Sequence, residues 1–145
     1  MLKIKQADYD AMRQHGEETY PHECCGIMLG RPVIPGENEV VELMRAGNTR
    51  TDSAHNRYHI APQELIKAQR EGRKKDLEIV GFYHSHPDHP AHWSKTDFDE
   101  AHWYGCSYVI TAVAQGKAEV TNSFLLRGSN EDDKVFDHEK IEVEA

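Results

Sequence analysis

The chain has 145 residues, 38% of them hydrophobic and 29% charged, so residues 1–145 are read as one domain built round one core. A formal net charge of −8 argues against nucleic acid as the main partner, because phosphate recognition needs a basic face. No apolar run reaches the roughly 18 residues that a membrane span requires, so no membrane partner is expected.

The opening segment, MLKIKQADYD, lacks the apolar core of a secretory signal. Residues 6–15 read as an amphipathic helix with Tyr9 and Met12 on one face, Gly16 as its stop and Pro21 beyond it. CCGIMLGRPVI is apolar and glycine-punctuated, which predicts a buried strand followed by a turn at Pro35 and Gly36. EVVELMRAGN reads as a second strand, and residues 56–60 as a short third. PQELIKAQREGRKK then predicts a helix with Pro62 at its first position. Its basic end, residues 70–75, is expected to be a solvated surface. LEIVGFYHSH is a strand, SKTDFDEAHWYG a helix, SYVITAVA and AEVTNSFLLRG two strands, and KVFDHEKIEVE an edge strand or a frayed end. This order predicts an α/β (α+β) domain with a mixed, largely antiparallel sheet and flanking helices. Cys24, Cys25 and Cys106 cannot all pair within one chain and form no CxxC, which suits a reducing cytoplasmic setting.

The chemistry concentrates in GFYHSHPDHPAHWSKTD, residues 81–97. His84 and His86 lie two apart at a strand end, so both imidazoles share one face while Ser85 points to the other. Two neutral imidazoles so placed can share a divalent ion such as zinc, given a third protein ligand and an open position for water. Pro87 and Pro90 break the strand, and the chain turns before entering a helix at Ser94. Asp97, in the first turn of that helix, can then join the histidines as an oxygen ligand. Each signal taken singly has a plainer meaning. S-K-T-D also fits a helix capping box, and H-x-H pairs occur in ordinary loops and cores. His22, His89 and His92 read as solvent-exposed loop histidines.

His84-Ser85-His86-Pro87, with seven residues between His86 and Ser94 and then Asp97, reproduces the pattern H-S-H-P…S-x-x-D. It resembles the JAMM (MPN+) metalloprotease family, whose eukaryotic members remove ubiquitin from proteins. Upstream, His22-Glu23-Cys24-Cys25-Gly26 is similar to the segment carrying the family's catalytic glutamate, and Tyr58 to Pro62 to its middle section. Trp93 stands where the family commonly has proline, a change that removes no chemical group.

The resemblance implies the MPN/JAMM, cytidine-deaminase-like fold and a zinc peptidase. On that basis His84, His86 and Asp97 hold Zn2+ and leave a fourth position for water. Glu23 moves a proton from that water to the leaving amine, and Ser94 donates a hydrogen bond to the oxyanion. The residues alone do not choose Glu23 over Glu17 or Glu18. The Ser94 hydroxyl is expected to serve as oxyanion donor or as helix cap, not as both at full strength. Cys24 and Cys25 lie in an apolar segment, which argues against a thiolate nucleophile, and Ser85 has no partner base on its face. The expected substrate is an amide or isopeptide bond after the Gly-Gly tail of a ubiquitin-like or sulfur-carrier protein, as for small prokaryotic members. An inactive MPN scaffold that binds other proteins, and a metal hydrolase of a non-protein amide, stand as alternatives, and a homodimer is left open.

Overall fold

The strand carrying the two histidines is buried from Ile79 to Pro87, in a computed structural model that describes residues 1–48 and 58–145. The elements run β1 (Leu2–Lys5), α1 (Gln6–Thr19), β2 (Cys25–Ile34), β3 (Glu37–Ala46), α2 (Pro62–Lys74), β4 (Glu78–Pro87), α3 (Lys95–Asp99), β5 (Ser107–Ala114), β6 (Lys117–Arg127), β7 (Val135–Glu139) and β8 (Ile141–Glu144). All the strands join one sheet in the order β7-β6-β5-β4-β2-β3-β1-β8. β4 pairs antiparallel with β2 and parallel with β5; β1 is parallel to both β3 and β8, and the remaining pairs are antiparallel. The mixed, largely antiparallel α+β architecture expected from the element order is therefore what forms.

β7 and β8 stand at opposite ends of the strand order, yet only Lys140 separates them in the chain. The sheet must curl until its two edges meet there. The single edge strand expected over 134–144 is thus two strands, because Leu2 N–H captures the Lys140 carbonyl at 2.9 Å and draws the tail across to β1. β1 itself leaves almost no signal in the sequence: it is four residues long, and only Leu2 and Ile4 turn inward.

Side-chain alternation in the central strands divides the core in two. Ile27, Phe82, Tyr108 and Ile110 pack on the face covered by α2, with Ala68 from that helix. Met28, Tyr83 and Val109, their immediate neighbours, pack on the other face with Met12 of α1. His15 on α1 reaches Tyr83, Nδ1 to hydroxyl 2.8 Å, and burial lowers its pKa to about 4.

Gly16 does not stop α1, which continues to Thr19. A Cβ at this position would lie 3.0 Å from Val113 Cγ2 and 3.1 Å from Ser85 Cβ. The glycine is therefore where the helix rests on the sheet, directly behind the histidine strand. α3 is shorter than the segment 94–105 suggested. Lys134, itself buried, donates through Nζ to the carbonyls of Phe98, Asp99 and Ala101 at 2.8, 3.3 and 3.2 Å, closing the helix after one turn. Of the strand expected over 56–60, residues 56 and 57 lie outside the described residues, and residues 58–60 form none. Residues 70 and 73–75 are exposed as expected, and Cys24, Cys25 and Cys106 are buried free thiols. Among the described residues, no helix is long and apolar enough to cross a membrane.

The Gly16 contact gives a graded test. In Gly16→Ala, better helix propensity, worth about 1 kcal/mol, offsets the crowding, and stability should stay within about 1 kcal/mol of the parent. Gly16→Leu should lose about 1–3 kcal/mol in urea unfolding, because nothing beyond Cβ can be housed.

Candidate active site

β4 carries the histidines at its end, where His84 sits between Cys25 of β2 and Ile110 of β5, and His86 beside Ala112. The two Nε2 atoms converge to 3.1 Å on the α2 face of the sheet. Ser85 points to the opposite face, where its Oγ accepts the Cys24 N–H at 2.8 Å. Past Pro87 the chain turns sharply, and the Pro90 carbonyl lies 2.9 Å from His86 Nδ1. A carbonyl only accepts, so Nδ1 carries a proton and Nε2 is the atom turned to the site.

Asp97 arrives from α3. The capping box is complete: Ser94 Oγ accepts the Asp97 N–H at 3.0 Å, and Asp97 Oδ2 accepts the Ser94 N–H at 2.9 Å. The same Oδ2 stands 3.1 Å from His86 Nε2 and 3.3 Å from His84 Nε2. The three donor atoms thus form a triangle with sides of 3.1, 3.1 and 3.3 Å. Donors placed tetrahedrally around an ion at about 2.0–2.1 Å lie about 3.3–3.4 Å apart. The triangle therefore fits a small divalent cation.

The Ser94 cap also changes an expectation. As a cap the hydroxyl only accepts, through a lone pair, and its proton stays free to donate elsewhere. The two roles do not compete.

Glu23 lies just before β2 and is buried. One of its carboxylate oxygens groups with ring nitrogens of His84 and His86 within 4.8 Å of one another. Its Oε1 and the Nδ1 of His84 are buried without hydrogen-bond partners. Without an ion the electrostatics are uneasy. Burial pushes the Glu23 carboxyl up to about 8, with His86 opposing and Asp97 adding to the shift. Burial likewise lowers His84 and keeps it neutral. For His86, burial is outweighed by the hydrogen bond and charge of Asp97, and its pKa rises. Asp97 would be raised by burial, yet the two imidazoles and the Ser94 N–H hold it well below the usual carboxylate range.

A family model described as prokaryotic homologs of the JAB domain matches residues 5–127. The chain belongs to that family. Among its prokaryotic JAB relatives, a Haloferax volcanii protein called desampylase is 30% identical over 107 residues, covering 70% of this chain and 73% of its own. A Thermus thermophilus protein called a probable TtuB-protein conjugate cleaving protease is 29% identical over 103 residues, covering 71% of this chain and 65% of its own. The solution structure of a Desulfitobacterium hafniense protein superposes with a TM-score of 0.82 at 27% identity, over 99% of this chain and 93% of that one.

Two parts of this prokaryotic JAB site escape the motif. Tyr58 stacks on His84 with ring centroids 4.3 Å apart and planes 23° from parallel. Beside it opens a cleft of about 420 Å³ with aromatic walls from Tyr58, Phe82, Trp103 and Tyr108. The sequence places Tyr58 before a helix but has no pattern that brings it onto a histidine. The Pro90 carbonyl is equally invisible, since backbone acceptors leave no residue-type signature. His22, His89 and His92 are exposed, as expected. Burial lifts Cys24 to about 11 and Cys25 to about 12, so neither supplies a thiolate at neutral pH.

The buried Glu23 has a stability consequence whose sign is fixed. Its folded pKa of about 8 lies above the ordinary 4.5, so the folded state holds the proton more tightly. The stability this contributes is present below about pH 4.5 and is lost as pH rises through 8. Glu23→Gln cannot ionise. In protein stripped with chelator, its stability relative to the parent should therefore climb by a few kcal/mol between pH 5 and 8, at most about 1.4 kcal/mol for each pH unit crossed. Urea unfolding at both pH values measures it, and parallel curves for the two proteins would contradict it.

Proposed function

We propose that this chain is a zinc-dependent isopeptidase that hydrolyses an amide bond following the Gly-Gly tail of a ubiquitin-like or sulfur-carrier protein. The observation that carries the reading is the triangle of His84 Nε2, His86 Nε2 and Asp97 Oδ2, whose sides match the donor spacing of a tetrahedral site. The names borne by the Haloferax and Thermus relatives support the substrate class.

In this reading His84, His86 and Asp97 hold the ion. When bound, zinc supplies Lewis acidity that lowers the pKa of water from about 15.7 towards 7 and polarises the scissile carbonyl. Glu23 takes the proton of the attacking water on its carboxylate and returns it to the departing amine. Its unpartnered Oε1 leaves that oxygen free for the task. Ser94, with its cap made through a lone pair, directs its hydroxyl proton at the developing oxyanion. The Pro90 carbonyl keeps the His86 ring in the tautomer that offers Nε2. Glycines before the scissile bond let an extended tail lie close to the buried histidines.

The test is incubation with a ubiquitin-like carrier extended beyond Gly-Gly, with the cut position read by mass. Cleavage after the second glycine, abolished by chelator and restored by zinc, is expected, with about one zinc bound per chain. Glu23→Gln should retain the metal and lose about 10²–10⁴-fold in rate; Ser94→Ala should retain it and lose about 10²–10³-fold. A protein that binds no zinc, or that cleaves equally well in chelator, would overturn the reading.

A further inference from the structure

Glu23 presents a problem of position. Its carboxylate must meet a water beside the histidines, yet Oε1 has no hydrogen-bond partner to orient it. Its place therefore has to come from the backbone of the connector between α1 and β2. That connector is tied on both sides of Glu23 to the same strand end that carries His84 and His86.

On the downstream side, Cys24 N–H donates to Ser85 Oγ at 2.8 Å, and Ser85 N–H donates to the Cys24 carbonyl at 3.3 Å. Ser85 lies between the two histidines. On the upstream side, the Tyr20 hydroxyl donates to Asp88 Oδ2 at 2.5 Å. A hydroxyl bonded to a carboxylate at this length is a charge-assisted contact, here on the exposed surface. Asp88 is itself anchored, its Oδ1 accepting Gln115 N–H at 2.8 Å and its own N–H donating to the Val113 carbonyl at 2.8 Å. Its backbone is left-handed, with φ at 57°, a region that aspartate tolerates better than most residues and that persists only where surrounding contacts demand it. Between the tethers the arch is closed on itself: His22 N–H donates to the Thr19 carbonyl at 2.8 Å, and Thr19 Oγ1 to the His22 carbonyl at 2.9 Å.

We propose that Tyr20 and Asp88 are positioning residues, a clasp that sets the distance of Glu23 from the histidines. The inference rests on the reading of Glu23 as the proton-transfer group. Neither residue touches the reacting atoms. Their effect passes through the backbone: with the Tyr20 tether released, the arch keeps only its ties at Cys24 and the 3.4 Å hydrogen bond that the Glu23 carbonyl accepts from Asn48 Nδ2, and Glu23 can shift relative to the donor triangle. Displacements of about 1 Å at a reacting group are enough to slow a reaction up to about 100-fold.

Three variants separate the side chain from the backbone it sits on. Tyr20→Phe removes one hydroxyl. Asp88→Gly removes the carboxylate while adopting the left-handed conformation freely. Asp88→Asn keeps an acceptor for Gln115 N–H and offers its amide to the Tyr20 oxygen, so it should rescue. On the Gly-Gly-extended carrier, Tyr20→Phe and Asp88→Gly should each lower kcat about tenfold, with KM and zinc content within about twofold of the parent. The double variant should be no slower than the slower single, and Asp88→Asn should recover most of the rate. In chelated protein, amide hydrogen exchange over residues 20–24 should quicken in both singles while β4 stays protected. The clasp is refuted if an active parent loses no kcat in either single, if the two losses multiply, or if exchange over residues 20–24 is unchanged. Should the parent cleave nothing, the isopeptidase reading fails separately, and the exchange measurement still decides the clasp.

Discussion

Asp97 Oδ2 accepts the Ser94 N–H at 2.9 Å while standing 3.1 and 3.3 Å from two imidazole nitrogens, and most of the site's construction serves to keep that oxygen there. α3 is five residues long, far below the length at which a helix holds in water unaided. It survives because both ends are fixed from outside its hydrogen bonds. Ser94 and Asp97 satisfy each other's N–H groups at the start, and the buried Lys134 ammonium gathers the carbonyls that end it. The ammonium also lies over the Phe98 ring, 4.7 Å from its centre, and pairs with Glu131 at 2.8 Å. A single helical turn has become a mount for one carboxylate. Capping leaves Asp97 open to a ligand role as well, because a carboxylate oxygen has lone pairs enough to accept an N–H and still face a cation.

The opposite wall of the site is built in the contrary manner. Glu23 is buried with an orphaned oxygen and a pKa lifted to about 8, and His84 Nδ1 is buried without a partner. Native proteins pair nearly all buried polar atoms, so two such atoms within one small cluster mark a place where stability has been given up. The cost of this wall falls on the folded state in the absence of an ion. Asp97 is fully supported and its pKa is held low, whereas burial without a partner on Oε1 raises that of Glu23. Two neighbouring acids are thus driven apart in acidity by what surrounds them.

How much of this is legible in the sequence depends on the kind of signal each part leaves. The H-x-H pair at a strand end and the S-x-x-D at a helix start are local, and strand alternation and capping chemistry bring their side chains to definite directions. The first half of β2, as far as Gly30, and the strands β4 and β5 announce themselves as apolar runs, since both their faces are covered there. What stays hidden depends on contacts distant in the chain. Gly16 reads as a stop because a glycine in a helix usually weakens it, and only the proximity of Ser85 and Val113 reveals why it is tolerated. α3 ends early because of a lysine 35 residues after Asp99. The tail divides into two strands because the sheet curls. Tyr58 stacks on His84, a contact for which periodicity gives no rule.

The parity of β4 explains why recognition and assembly do not interfere. Phe82 packs on the α2 face and lines the aromatic cleft, and alternation puts His84 and His86 on that same face; Tyr83 and Ser85 face α1. On the first face the side chains are available for chemistry. On the second they hold the fold together: Tyr83 meets His15, and Ser85 lies against Gly16 while holding Cys24. A slip of one residue in β4 would exchange the two sets at every position, carrying the imidazoles under α1 and the tyrosine into the site. That slip is opposed from both sides, by antiparallel pairing of His84 with Cys25 and parallel pairing with Ile110. Because Cys25 follows Glu23 so closely, the pairing that fixes which way the histidines point also fixes how near the acid can come. The register of one strand therefore carries both halves of the site.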